Sequence, residues 1–397
     1  MIRPCVIGLG YVGLPLLINL SKKFKIVGYD NDKIRISKLK KSIDIFKEFN
    51  KKILKNKNLY YSSNLKDIKE SNFYIIAVPT PIYRNKKPNL SYLKNVSKSL
   101  SKVINKGDLI FFESTVYPGV TENICKKIIE KETLLLEGKD FFLGYSPERV
   151  NPGDKKHSLK KIDKIVAYPH NFRINDVTQL YKQISKKMIL TKNIKEAETA
   201  KVIENIQRDV NIGLINEIYI VCKKLNISFN NVINLASTKW NFVKYRPGLV
   251  GGHCLPVDPY YLSYVSNLKK FKTNVILAGR TINDNISIYL KNELINRFKK
   301  IRSKRKKILL CGLTYKENVS DLRNSLSLKI YKDIKNKIPN VYGYDPTLNN
   351  IIAKKNRILN KINNIDLFDI YVILIKHDEI KQLIKKLKNK KIIYLFN

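Results

Sequence analysis

The sequence predicts an α/β protein: two doubly wound domains joined by a central helical domain with a long helix. Three observations lead there. Short β-branched apolar runs alternate with stretches of helical period from the N-terminus to about residue 195, the texture of parallel strands with crossover helices. A long run of apolar residues at steps of three and four follows. Beyond a basic linker the strand pattern resumes, dividing the 397 residues into 1–195, 196–300 and 301–397, in keeping with roughly 150 residues per domain.

In order, the expected strands of the first part are Cys5-Val6-Ile7, Lys25 to Tyr29, Phe73 to Val78, Leu109 to Phe112 and Phe141 to Tyr145. From Lys195 to Leu225, Ala197, Ala200, Ile203, Ile206, Val210, Leu214, Ile218 and Val221 mark one amphipathic helix. Further helices are expected at about 228–236 and 274–300. The second α/β part offers strands at Lys307 to Cys311, Asn340 to Tyr344, Tyr371 to Ile375 and Ile392 to Leu395.

Composition narrows the function classes. Hydrophobic residues make up 44%, which excludes a mainly disordered chain. The five cysteines are odd in number and widely spaced, with no CxxC, so neither a disulfide framework nor a cysteine zinc site is expected. Four scattered histidines give no metal motif, and no metal is expected. No apolar run reaches the ~18 residues of a membrane helix, and the start has no signal-peptide layout. The expectation is a soluble, cytoplasmic protein without a membrane partner. The net charge of +43 is spread along the chain among Asn, Ile and Tyr, a compositional drift and not a nucleic-acid patch. Lys299 to Lys307, with seven basic residues in nine, reads as a solvated linker.

Gly8-Leu9-Gly10-Tyr11-Val12-Gly13 follows a strand and opens a helix. The first glycine makes the turn, the second admits a pyrophosphate to the backbone, and the third lets helix and strand pack. Asp30 closes the next strand 22 residues after Gly8, where a carboxylate bonds the ribose 2′-OH of NAD and repels the 2′-phosphate of NADP. This is a Rossmann-like dinucleotide site. Val78-Pro79-Thr80-Pro81, Glu113-Ser114-Thr115 and Tyr145-Ser146-Pro147-Glu148-Arg149 follow other strands, at ends where doubly wound sheets bind ligands. Each is equally compatible with plain turn chemistry.

Gly251-Gly252-His253-Cys254 precedes Asp258-Pro259, which suit the N-cap and first turn of a helix from Tyr260. A thiol near a helix start can fall below its free pKa of ~8.5. The residues alone leave Cys254 as a reactive thiol or a packed small hydrophobe. Lys201 and Asn205 share a face of the long helix at i, i+4, directed into a cleft or into solvent.

Taken in order, GLGYVGLP (8–15), AVPTP (77–81), EST (113–115), SPERVNPG (146–153), AETAKVIEN (197–205), GGHCLPVDPYY (251–261) and GLTYKENVSDLRNS (312–325) resemble the UDP-glucose/GDP-mannose dehydrogenase family across almost the whole chain. GGHC with DPYY and SPERVNPG resembles the branch acting on UDP-N-acetylhexosamines (GlcNAc or GalNAc) for capsule or O-antigen sugars. UDP-glucose enzymes more often carry Ser where His253 stands. UDP-glucose and UDP-N-acetylmannosamine are the alternative substrates, and a nucleic-acid binder on a dehydrogenase fold is the rival from another class.

The resemblance implies a four-electron oxidation of the sugar C6 alcohol to a carboxylate with two NAD. It implies Cys254 as nucleophile, Lys201 and Asn205 as holders of the developing oxyanion, Glu148 as base or positioner of the hydrolytic water, Asp258 as orienting water and Lys201 besides capping its helix, and Thr115 as a member of the same water network. Gly8, Gly10, Tyr11, Val12, Gly13, Asp30, Arg35, Thr80, Thr115 and Arg323 are implied for NAD. Glu148, Arg149, Lys201, Asn205, Arg246, Gly252 and Lys316 are implied for the UDP-sugar, with the UDP part in the C-terminal domain and Arg246 reaching across a homodimer or higher oligomer. One departure stands out: Asn324 occupies a position where many relatives have Glu.

Overall fold

The computed structural model describes residues 1–45, 48–149, 159–300, 306–387 and 390–396. It divides into two compact units, Met1–Glu204 with Tyr260–Lys269 and Asn205–Pro259 with Lys270–Asn397. Among the described residues no helix is long and apolar enough to cross a membrane.

The first unit is built on an eight-stranded sheet of β1 (Pro4–Ile7), β2 (Ile26–Tyr29), β3 (Leu59–Ser62), β4 (Phe73–Ile76), β5 (Asp108–Phe112), β6 (Phe141–Tyr145), β7 (Lys164–Ala167) and β8 (Met188–Thr191). The order is β3-β2-β1-β4-β5-β6-β7-β8. Every pairing is parallel except β6 with β7, which meet antiparallel at Tyr145 and Ala167. The first six strands therefore have the doubly wound order, and the chain switches direction between β1 and β4.

Side-chain alternation explains the two-sided core. In β1, Val6 joins one buried cluster, with Phe73, Ile75, Leu109 and Phe111. Cys5 and Ile7 join the opposite one, with Tyr74, Ile76, Ile110 and Phe112. Such strands read as unbroken apolar runs, which is why the sequence exposes them. β3, β7 and β8 escape that reading. β7 opens on a lysine, and β8 is an edge strand with Ile189 and Leu190 exposed.

The second unit holds a four-stranded parallel sheet of β9 (Ile308–Cys311), β10 (Val341–Tyr344), β11 (Ile370–Ile373) and β12 (Lys391–Tyr394) in the order β10-β9-β11-β12. Its strands also bury both faces: Ile308 and Leu310 pack one way, Leu309 and Cys311 the other. Residues 301–305 of the basic linker lie outside the described residues.

The spine helix runs Ile194–Lys224, and the boundary between the units falls within it. Its phase differs from the expected stripe. Ile203, Leu214 and Val221 are exposed, whereas Glu198, Lys201, Asn205, Asp209 and Asn216 are buried. The polar side chains are turned inward because each of several finds a fixed partner there. Asp209 pairs with Arg280 and accepts from Asn283 Nδ2 at 2.9 Å, and Asn216 and Gly248 exchange two bonds of 3.0 Å. In the second unit, Gly213 and Gly279 let this helix and Asn274–Lys300 approach closely, since a Cβ on Gly213 would lie 2.9 Å from the Gly279 carbonyl oxygen.

Candidate active site

In the first unit the glycine turn follows β1. Gly8 has φ +91°, a conformation that favours glycine, and its N–H donates to Tyr29 O at 2.8 Å. A Cβ on Gly13 would collide with the Gly8 carbonyl oxygen, whereas a Cβ on Gly10 would meet no protein atom within 4 Å. Gly10 thus leaves an open cradle in front of Gly13–Leu20, a helix whose N-terminus no side chain caps among the described residues. That arrangement suits a pyrophosphate, with Tyr11 and Val12 in the turn.

Asp30 stands directly after β2 and braces the cradle: its carboxylate accepts Leu9 N–H at 2.8 Å and Asp32 N–H at 2.9 Å. Arg35 braces it from below. It is buried, donates from Nε to Leu9 O at 3.0 Å and pairs with Asp44 at 3.0 Å. Arg35, expected among the NAD-binding residues, holds the Leu9 carbonyl and Asp44 with its guanidinium.

Thr80 and Thr115 lie half-buried after β4 and β5. Tyr261 donates to Thr80 O at 2.6 Å and Ser114 to Val78 O at 2.7 Å, tying the two loops down. After β6, Glu148 accepts Arg149 N–H at 2.7 Å, and Arg149 pairs with Glu204 at 2.7 Å. Residues 150–153 of the SPERVNPG motif lie outside the described residues.

Sequence reasoning missed what stands behind Glu148. Lys164 of β7 lies 2.7 Å from Glu113 and 3.7 Å from Glu148, with side-chain exposures of 2%, 0% and 10% respectively. Burial pushes the Glu113 carboxyl up to about 7 despite the nearby cation. Burial opposes the charge on Lys164, but the carboxylates of Glu113 and Glu148 hold its pKa above the ordinary lysine value. The available signal was a lone lysine abutting the apolar run Ile165-Val166-Ala167. Lys201, on the spine helix, is also buried.

In the second unit Cys254 is exposed, while the other four cysteines are buried. Gly252 has φ +86°, and a Cβ there would press on the Tyr315 ring at 2.7 Å. Asn324, the departure from the family pattern, takes φ +51° and donates to Gly252 O at 2.9 Å. Asparagine tolerates that left-handed conformation better than Glu.

The carbonyl of Cys254 accepts Val257 N–H at 3.0 Å and Asp258 N–H at 2.9 Å. The helix begins at Asp258 itself. The Asp258 carboxylate, expected as a cap, accepts Asn205 Nδ2 at 2.6 Å in a buried bond. His253 lies 3.8 Å from Asp321, which Arg323 grips through Nε at 3.0 Å and Nη2 at 2.7 Å. Burial and then Arg323 keep the His253 pKa below its ordinary value, against the pull of Asp321.

Lys316 is half-buried in the loop after β9, and Arg246 is exposed. The Arg246 loop is held by the Asn216–Gly248 clamp. Buried His377 orders the Lys316 loop from behind, accepting Asn318 N–H at Nδ1 (2.8 Å) with its Nε2 3.1 Å from Asp345.

Residues 2–185, 195–285 and 309–395 match, in turn, the NAD-binding, central and UDP-binding domains of the UDP-glucose/GDP-mannose dehydrogenase family. The chain belongs to that family. It is an NAD-dependent UDP-sugar 6-dehydrogenase, and the open Gly10 cradle fits its cofactor. This dehydrogenase is 44% identical to Protein CapL of Staphylococcus aureus over 92% of its own length and 85% of the relative's. It is 40% identical to a UDP-N-acetyl-D-glucosamine 6-dehydrogenase of Salmonella typhi, covering 96% and 91%. The structure of a UDP-D-ManNAc dehydrogenase from Pyrococcus horikoshii superposes with TM-score 0.86 at 32% identity, covering 99% of this chain and 95% of that one.

Proposed function

We propose that the enzyme oxidises the C6 alcohol of a UDP-N-acetylhexosamine, GlcNAc or GalNAc, to the uronic acid, as a precursor for surface polysaccharide. The substrate class rests on the GGHC and DPYY motifs and on 40% identity to a UDP-N-acetyl-D-glucosamine 6-dehydrogenase.

The chemistry rests on one observation above all: the exposed thiol of Cys254, set on a glycine-shaped turn whose following Asp258 is bonded to Asn205. The Gly8–Gly13 turn and Asp30 with Thr80, Thr115 and Arg323 would hold NAD, which would supply the hydride acceptor for each oxidation. Lys201 and Asn205 hold the C6 oxygen as it gains charge, a role worth ~3–4 kcal/mol when one such donor is removed. Loss of a hydride from C6, with the hydroxyl proton released to water, gives the aldehyde. Cys254 adds through Sγ to its carbon while the thiol proton passes to the carbonyl oxygen. The thiohemiacetal so formed loses the second hydride and its hydroxyl proton to become the thioester. Glu148 takes a proton from the water that attacks the resulting thioester. The C–S bond then breaks, giving the carboxylate and the thiol. Covalent capture divides a hard oxidation into easier steps and retains the aldehyde. Asp258 orients Asn205, and Thr115 joins the water network. Arg149, Gly252, Lys316 and Arg246 contact the UDP-sugar.

The same reading assigns 1–195 to NAD, 196–300 to a helical spine and 301–397 to the UDP part. It makes the enzyme a cytoplasmic homodimer or higher oligomer, in line with the exposed Ile203, Leu214 and Val221. A UDP-sugar panel read by NADH formation and product mass tests it. The expected product is a UDP-N-acetylhexosaminuronate. Preferred turnover of UDP-glucose or UDP-N-acetylmannosamine overturns the substrate assignment.

A further inference from the structure

We propose that Lys164 is a positioning residue for Glu148, setting its ionisation and its direction through an ammonium shared with the buried Glu113. The inference rests on the reading of Glu148 as the group that acts on the hydrolytic water.

An ammonium this deeply enclosed persists only with compensation, because an isolated buried charge is costly. One carboxylate would be enough for a purely structural pair. Lys164 has Glu113 at 2.7 Å and also faces Glu148 at 3.7 Å, while it donates to Pro147 O at 3.3 Å. The last bond fixes the turn that carries Glu148. Lys164 comes from β7, the strand that meets β6 antiparallel. That reversal lays its first residue beside the loop leaving the end of β6.

Among the described residues, Glu113, Lys164, Tyr181 and Arg149 bear on Glu148. Glu113 directly follows the neighbouring β5 strand, and Lys164 opens β7. Tyr181, at the end of the helix Ile174–Tyr181, has its phenol held well above the ordinary range by burial. Arg149, next in sequence, is directed to Glu204 at 2.7 Å and Asp163 O at 3.2 Å. Lys164 therefore serves both carboxylates. Two carboxylates in one site without a cation do not both stay ionised.

Two variants should move the enzyme in opposite directions. Lys164→Met removes the cation and makes Glu148 harder to ionise. Glu113→Gln removes the competing carboxylate and leaves the ammonium to Glu148. The test is the pH dependence of kcat with a UDP-N-acetylhexosamine and NAD, for the whole enzyme. The acid limb should rise by ~1–3 pH units in Lys164→Met, and it should fall in Glu113→Gln. If Lys164→Met does not fold, Glu113→Gln/Lys164→Met is compared with Glu113→Gln alone, and the limb should again rise.

A lowered melting temperature with an unmoved limb, or shifts of the same sign in both variants, overturns the inference. Glu148→Gln separates it from the reading beneath. Steady turnover by Glu148→Gln defeats the role of Glu148. Stalled turnover by Glu148→Gln with unmoved limbs in the other two variants defeats the role of Lys164 alone.

Discussion

Asn205 and Asp258, 53 residues apart in the chain, share a buried 2.6 Å hydrogen bond from Nδ2 to Oδ2. The bond ties the spine helix to the first residue of the helix that follows Cys254. It also fixes which end of the Asn205 amide donates to the carboxylate. The carboxylate that local sequence offered as a helix cap is thereby directed to a residue of the proposed oxyanion site.

Asp258→Ala leaves the Asn205 amide buried without this acceptor, a loss of ~1–3 kcal/mol. The melting temperature should fall and kcat with it. Asp258→Asn, which keeps an acceptor oxygen in place, should recover most of the melting temperature but not the rate. Paired calorimetry and steady-state kinetics check this, and equal losses in both variants would contradict it.

The two glycines of the cradle should fail differently. Gly13→Ala drives a methyl into the Gly8 carbonyl, and overpacking of that kind costs ~1–3 kcal/mol. Gly10→Ala meets no protein atom within 4 Å. It should melt like the parent yet bind NAD poorly, because its methyl occupies the space of the phosphates. Thermal melts beside NAD titrations distinguish the two, and tight NAD binding by Gly10→Ala would remove the pyrophosphate from that position.

Glu148→Gln, mixed with substrate and NAD, should give a short burst of NADH and a trapped adduct on Cys254. Steady turnover should fall ~10²–10⁴-fold, the usual worth of a general base. Intact-protein mass spectrometry detects the adduct. In Cys254→Ala the net four-electron oxidation should disappear, and unchanged uronate production would eliminate the covalent scheme.

Glu198 makes stability depend on pH. Its carboxylate accepts the N–H groups of Gly119 and Thr121, the latter at 3.0 Å, yet burial pushes its pKa up to about 7 from 4.5. Between those values the folded state holds the proton that the unfolded chain has released. Its contribution to stability therefore falls as pH rises from 4.5 to about 7. The melting temperature of the parent relative to Glu198→Gln should decline across that window. A difference that grows with pH would reverse the sign.

The glycine turn, Asp30 and the long apolar strands were legible because each answers a local demand. Gly8 supplies a positive φ, Gly13 makes room for a neighbouring carbonyl, and strands buried on both faces carry unbroken apolar runs. Asn324 could be noted as a departure, but its left-handed backbone and its bond to Gly252 belong to the folded chain. The inward face of the spine helix was not legible either. Spacing assigns the core to Ile203, Leu214 and Val221, whereas Asp209 and Asn216 turn inward to partners supplied by distant segments. Lys164 was hidden for the same reason: it meets Glu113 across 51 residues, through strand pairings that no local pattern records. Backbone geometry and burial period act over a few residues and leave their mark in the sequence. The pairing of buried charges is settled by packing, where the cost of an uncompensated ion selects the partner.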